Sequence, residues 1–359
     1  MSYTEFVDGV MRTAVFSLTF VAMLSAKAGG IAYENPVWRQ DSPDPTVWQA
    51  GGVYYETSTS QRILESRDLV RWTDTGHRLL EQSEYDWIAQ VWPHVWAPDV
   101  IKIGEWYNLY LTVHNGGAHT AIIAYRSKCP TGPFKDRKII LRSEDDGRFE
   151  VIDAEVVKDP QSGRVWLFFG HGDLRRLELA VDGRGRRLGA KVEHVAGLAL
   201  GNPAWGKDDE RHGAEATEGA YLHFREGWWY LFVSIGNWQN HTYRLAVGRS
   251  RTLDGKFFDR RGRSMADGYA TVILSSEKGD EFFGPGHNGE IFTTKSGKTY
   301  IFYHCHWKGG PADEHSATVW SGADYVPRPL FLQEIFWGDD GWPYFGNGGK
   351  PQKNCAFVN

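Results

Sequence analysis

Asp44, Asp153, Glu218 and His287 open four of five look-alike stretches in a chain of 359 residues. Asp44-Pro45-Thr46-Val47 runs into Gly51-Gly52 and Tyr54-Tyr55. Asp153-Ala154-Glu155-Val156 runs into Gly163 and Val165-Trp166. Glu218-Gly219-Ala220-Tyr221 leads to Gly227 and Trp228-Trp229, and His287-Asn288-Gly289-Glu290 to Gly297 and Thr299-Tyr300. The fifth stretch opens on Ala97 and leads through Pro98-Asp99-Val100 to Gly104 and Trp106-Tyr107. Three carboxyls meeting at one point suit cleavage of a glycosidic bond. One carboxylic acid protonates the leaving oxygen, and a second carboxylate acts from the other side of the sugar ring as base or nucleophile. The two must hold different protonation states at one pH, and a third carboxylate beside the acid would help by like-charge repulsion. Glu215, three residues before Glu218, is a rival for the acid; alignment with the other openings favours Glu218.

Such residues can meet only if the elements carrying them converge. Each stretch reads as a short strand, a glycine turn and an aromatic strand, repeated every 53 to 69 residues. That pattern predicts an all-β, five-bladed propeller, whose blades each present their first strand to a central channel. The expected blades cover about 44–80, 96–141, 151–200, 217–274 and 284–343. Ile31 to Asp41 serves as a lead-in that closes the ring with the C-terminus. Trp72 is expected between blades. Glu81 to Val95 reads as a loop, with Trp92 and Trp96 near a cleft rim. The outer strand of the second blade is expected to end at Pro130–Phe134. Helix should be scarce, because the strands are short, aromatic and β-branched.

Composition narrows the function classes. A net charge of −5 leaves no basic footprint for nucleic acid. Sixteen tryptophans are mostly expected to fill wedges between blades, a few of them lining a sugar-binding cleft. Three cysteines, Cys129, Cys305 and Cys355, are too few for a disulfide framework. His304-Cys305-His306 puts two histidines on one strand face, for which packing is a better reading than zinc. The apolar run Ala14–Leu24, with Arg12 before it and Ser25-Ala26-Lys27-Ala28 after it, has the layout of an export leader. A leader over 1–28, with initiation at Met1 or Met11, predicts an exported 29–359 domain with no membrane association after cleavage. At 11 residues the run is too short to span a bilayer.

The ordered motifs Pro43-Asp44-Pro45-Thr46-Val47, Trp96-Ala97-Pro98-Asp99-Val100, Ile152-Asp153, Glu218-Gly219-Ala220-Tyr221-Leu222 and Gly284-Pro285-Gly286-His287-Asn288 resemble those of family 43 glycoside hydrolases. The run Tyr230–Ser234, then Thr242-Tyr243 and Val247-Gly248-Arg249-Ser250, is most similar to the arabinanase branch. The resemblance covers Asn35 to Phe345. It implies an inverting hydrolase of arabinose-containing plant polysaccharide, with endo-α-1,5-L-arabinanase activity as the expectation. Asp44 would be the general base, Glu218 the general acid and Asp153 the modulator of the acid's pKa. Trp92, Trp96 and Tyr243 would contact substrate. His287 would hold a calcium ion whose shell is mostly water, although a lone imidazole is an unusual ligand for calcium. Inversion requires the two carboxyls to stand roughly 6.5–9.5 Å apart. Ala154, Ala220 and Gly289 depart from the family pattern and blur the branch without removing a carboxylate. The alternatives are an exo-acting α-L-arabinofuranosidase or β-xylosidase on the same fold, and a carbohydrate-binding propeller without catalysis.

Overall fold

The computed structural model describes residues 30–115, 119–145, 149–198, 217–310 and 326–359. The expected leader, the start at Met11 and Glu215 lie outside them. The chain begins with β1 (Ile31–Glu34) and then builds five antiparallel sheets in sequence order. Blade one holds β2 (Thr46–Ala50), β3 (Val53–Thr57), β4 (Arg62–Ser66) and β5 (Thr73–Arg78). A helix, α1 (Gln82–Val91), leads to blade two: β6 (His94–Ile103), β7 (Trp106–His114), β8 (Thr120–Ser127) and β9 (Lys135–Arg142). Blade three is β10 (Glu155–Lys158), β11 (Val165–Phe169), β12 (Asp173–Leu179) and β13 (Glu193–Gly197). Blade four is β14 (Thr217–Arg225), β15 (Trp228–Ile235), β16 (Arg244–Ser250) and β17 (Thr271–Leu274). Blade five divides its inner strand into β18 (Phe282–Gly286) and β19 (Ile291–Thr293), both paired with β20 (Thr299–Trp307), then adds β21 (Leu330–Trp337) and β22 (Pro343–Phe345). The five-bladed all-β propeller read from the repeat is the fold.

Two expectations about the second blade need correction. The segment expected as a loop contains α1, whose Ile88 is buried while Tyr85 and Trp87 pack against the same cluster. No proline or glycine interrupts it, and it stops at Trp92, which Pro93 forces into extended backbone. The outer strand β9 begins after Pro130–Phe134 rather than ending there. The reason is that Gly132-Pro133 makes the turn into the strand.

Five hydrophobic clusters occupy the five interfaces between neighbouring blades, so the core is divided like the spaces between spokes. Trp72 behaves as expected, lying edge-on to Phe302 of blade five at 5.7 Å between ring centres. Each fully buried large side chain in these wedges stabilises the fold by about 1.5–3 kcal/mol. The ring closes as the lead-in suggested. Strand β1 pairs with β23 (Asn354–Phe357) at the end of the chain. The Asn35 side chain donates to the Leu332 carbonyl at 2.7 Å and accepts from the Leu332 amide at 2.9 Å.

Nearer the axis a second device joins the blades. The amides of Val100, Val156, Leu222 and Ile291 donate to Thr46, Asp99, Glu155 and Tyr221 of the preceding blade at 3.4, 2.9, 3.1 and 3.0 Å. The Val47 amide donates to Glu290 and completes the circle. Burial pushes Asp99 up to about 7, and pushes Glu155 and Glu290 well above the carboxylate range with the help of the Asp99 charge. The belt is therefore held in part by protonated carboxyls.

Candidate active site

Four of the five openings carry a residue in the left-handed region: Asp44 (φ 58°), Ala97 (37°), Asp153 (57°) and His287 (41°). In blade four that conformation falls on Gly219 (57°), one residue after Glu218. The five openings are therefore not in one register. Glu218 occupies the place of Trp96 and Ile152, just ahead of the twisted residue. Gly219 is required here twice over, since a Cβ would also come within 3.0 Å of the His287 ring. The inner strands of blades two and four slip register at this same point, and that of blade five slips just ahead of His287, between Phe283 and Gly286. Such bulges re-aim side chains at the rim of a channel.

A cavity of about 190 Å³ lies there, lined by Asp44, Asp153, Glu218, His287 and Trp96 together with Thr59, Glu150, Ile152, His171, Trp238 and Arg328. Asp44 is the most elaborately held carboxyl. Thr59 donates to its Oδ2 at 2.7 Å, and Oδ1 faces His287 Nδ1 at 3.1 Å and the Arg328 guanidinium at 3.4 Å. Burial alone would raise its pKa, but Arg328 and His287 overcome that and hold it well below the usual range. His304 accepts the Asp44 amide at Nδ1 at 2.9 Å, and burial beside Arg328 keeps that imidazole neutral.

Asp153 approaches the same ring nitrogen of His287, its Oδ2 3.9 Å from Nδ1. It accepts the Gly219 amide at 3.3 Å. Burial, aided by the charges of Glu218 and Asp44, pushes Asp153 up to about 7 against the pull of His287. His287 is raised to about 9: its burial works against the charge, and Asp44 and Asp153 outweigh it. Glu218 accepts a hydrogen bond on Oε1 from the Tyr243 hydroxyl at 2.7 Å, while Oε2 lies 3.6 Å from His171 Nε2. His171 is anchored through Nδ1 to Glu150 at 2.7 Å.

Trp96 lines the cavity as expected and stacks on His114 at 4.2 Å. Two other expected substrate contacts are corrected. Trp92 is buried beneath α1 against Trp87, because Pro93 turns the chain between it and Trp96. Tyr243 is 1% exposed and serves Glu218 from behind, its ring stacked on His304. His306 is spent on the carbonyls of Val326 and Trp238, as a packed strand histidine would be. Among the described residues the three cysteines are unpaired, and no three His, Cys, Asp or Glu side chains converge as metal ligands. A calcium ion held by His287 with a shell mostly of water would call for no such cluster.

Thr59, Glu150, His171, Trp238 and Arg328 escaped the sequence reading because none stands at a blade opening. His171 had one visible cue, a histidine between Gly170 and Gly172 at the end of an aromatic strand.

The sequence model of glycosyl hydrolases family 43 matches residues 33–343. An extracellular exo-alpha-(1->5)-L-arabinofuranosidase, ArbA, of Cellvibrio japonicus is 26% identical over 321 residues, covering 84% of this chain and 86% of its own. The extracellular endo-alpha-(1->5)-L-arabinanase 1 of Bacillus subtilis is 27% identical over 258 residues, 68% of this chain and 75% of its own. Among solved structures, the Cellvibrio cellulosa alpha-L-arabinanase complexed with arabinohexaose superposes with a TM-score of 0.69 at 24% identity, covering 86% of this chain and 96% of that one.

Proposed function

The chain belongs to glycosyl hydrolases family 43, and from that premise we propose that it cleaves α-1,5-linked arabinan with inversion, as an endo-arabinanase. The observation that carries the reading is the convergence of Asp44, Asp153 and Glu218 on one cavity, with Asp44 held ionised. Asp44 is the general base: Arg328 and His287 keep it a carboxylate, and Thr59 fixes its orientation so that a lone pair faces the attacking water. Glu218 is the general acid, with Tyr243 holding Oε1 and leaving Oε2 for the proton that passes to the glycosidic oxygen. Asp44 and Asp153 both approach Nδ1 of His287, and Asp153 also accepts the amide that follows Glu218. The family's inverting chemistry calls for a water molecule attacking across the ring rather than a carboxylate attacking directly. Asp153, which takes up a proton near neutrality, keeps the charge between the two catalytic groups low.

Arabinan is favoured over xylan by the two curated relatives, both named for the α-(1->5)-L-arabinosyl linkage. An exo-acting variant of the same reading has one relative behind it, named as an exo-alpha-(1->5)-L-arabinofuranosidase. Export through the leader at 1–28 is supported by the Ala14–Leu24 run and by relatives named as extracellular. Among the described residues no helix is long and apolar enough to cross a membrane. Products from debranched arabinan, branched arabinan and xylan, compared side by side, test the assignment. Mixed-length arabino-oligosaccharides from debranched arabinan are expected. Arabinan binding with no release of reducing ends would instead make the protein a binding module.

A further inference from the structure

We propose that His171, braced by Glu150, is the positioning residue that returns a proton to Glu218 after each cleavage. The proposal rests on Glu218 being the general acid. Tyr243 is buried and its hydroxyl donates to Oε1 of Glu218, so the transferable proton belongs on Oε2. That oxygen faces His171 Nε2 at 3.6 Å, one small rotation from a hydrogen bond. The other ring nitrogen is fixed to Glu150 Oε2 at 2.7 Å, a charge-assisted contact that sets the ring plane and assigns Nδ1 its proton. Gly170 (φ 120°) and Gly172 (φ 73°) carry the histidine on a turn that side-chain-bearing residues rarely adopt. A Cβ on Gly170 would lie 2.6 Å from the Asp173 carbonyl oxygen.

Exposure separates the roles. The Glu218 side chain is 11% exposed, whereas those of His171 and Glu150 are 37% and 40% exposed. The acid is shielded while its neighbour reaches solvent. The ionisable groups facing His171 are Glu150, Glu218 and Asp153, with His114 beyond Glu150. The hydrogen bond that His171 donates to Glu150 leads these influences; against the ring's burial it combines with the charge of ionised Glu218 to raise His171 to about 9. Once Glu218 has given up its proton, the ring is therefore an imidazolium at neutral pH.

The step is balanced. When Glu218 gives its proton to the glycosidic oxygen, it becomes a carboxylate beside the imidazolium. The Nε2–H bond of His171 then breaks as the Oε2–H bond forms. The neutral ring takes a proton from solvent at Nε2, and Asp44 returns to solvent the proton it took from the attacking water, so no proton is consumed over the cycle.

An ion pair that merely braced the loop would look similar in a static picture, so the test reads the leaving group. His171→Ala, Glu150→Gln and Glu218→Gln, each checked for a native melting transition, are compared with wild type on debranched arabinan. They are also compared on aryl α-L-arabinosides with leaving groups from phenol to 2,4-dinitrophenol. An acid matters for the poor leaving groups and is dispensable for the best. His171→Ala should lose about 10–30-fold on arabinan, part of the roughly 10²–10⁴-fold a placed acid supplies. It should stay near wild type on the dinitrophenyl substrate and recover on arabinan with added imidazole. Glu150→Gln should move the alkaline limb of the arabinan pH profile to lower pH. An equal loss across all leaving groups, with no rescue by imidazole, overturns the relay. If Glu218→Gln itself shows no dependence on the leaving group, the acid assignment fails and the relay with it, a pattern distinct from the first.

Discussion

Replacing Asp99 by Asn tests whether protonated carboxyls hold the blades together at the axis. Asp99 is buried and accepts the Val156 amide at 2.9 Å, and its pKa is raised from 3.8 to about 7, chiefly by burial. A carboxyl raised by folding keeps its proton better in the native state. Its contribution is therefore intact below about pH 4 and is lost as pH climbs through about 7. The displacement from 3.8 to about 7 corresponds to about 4 kcal/mol at roughly 1.4 kcal/mol per pH unit. An Asn side chain retains an acceptor for Val156, never ionises, and relieves Glu155 and Glu290 of a neighbouring charge that raises both. The assay is the thermal midpoint of wild type and Asp99→Asn at pH 5 and pH 8. Roughly 3 kcal/mol of that contribution falls between pH 5 and pH 8, so wild type should lose more stability between the two, and the variant should recover about 5 °C of that loss at roughly 2 °C per kcal/mol. Midpoints that fall in parallel would show that Asp99 does not carry the proton, and the belt would have to be held by hydrogen bonds to charged carboxylates.

Arg328→Met removes the charge that pulls the Asp44 pKa down most, so the acidic limb of the kcat/KM profile should move to higher pH; an unmoved limb would separate Arg328 from the base. Asp44→Asn and Glu218→Gln should each lower kcat on arabinan by about 10²–10⁴-fold while leaving binding measurable by calorimetry. Trp92→Ala should cost about 3–5 kcal/mol of stability as a core truncation and leave KM for arabinan unchanged in the folded fraction, whereas Trp96→Ala should raise KM. A raised KM for Trp92→Ala alone would return that residue to the cleft.

The blade openings were legible because one physical constraint is written five times: where each blade starts at the channel, the chain passes through a residue with left-handed backbone. Asp44, Asp153 and His287 show it directly, and it is why they meet. Glu218 reaches the cavity from a different register, since Gly219 takes the left-handed conformation and Glu218 sits one step ahead of it. What lay off the repeat was illegible. Thr59 and Arg328 reach Asp44 from a turn in blade one and from the entry to β21, positions with no periodic signature. Trp92 misled because closeness in sequence to Trp96 implied closeness in space, and Pro93 breaks that inference. Tyr243 was singled out correctly but for the wrong contact, because burial cannot be read from a tyrosine in an aromatic strand.

The anomeric configuration of the first product, followed by proton NMR during the opening minutes of arabinan hydrolysis, bears most directly on the pairing of Asp44 with Glu218 across the cavity. Water attack activated by Asp44 yields the β-anomer of the newly formed reducing end before mutarotation. Initial appearance of the α-anomer would mean a covalent intermediate, and would contradict the roles given to both carboxyls.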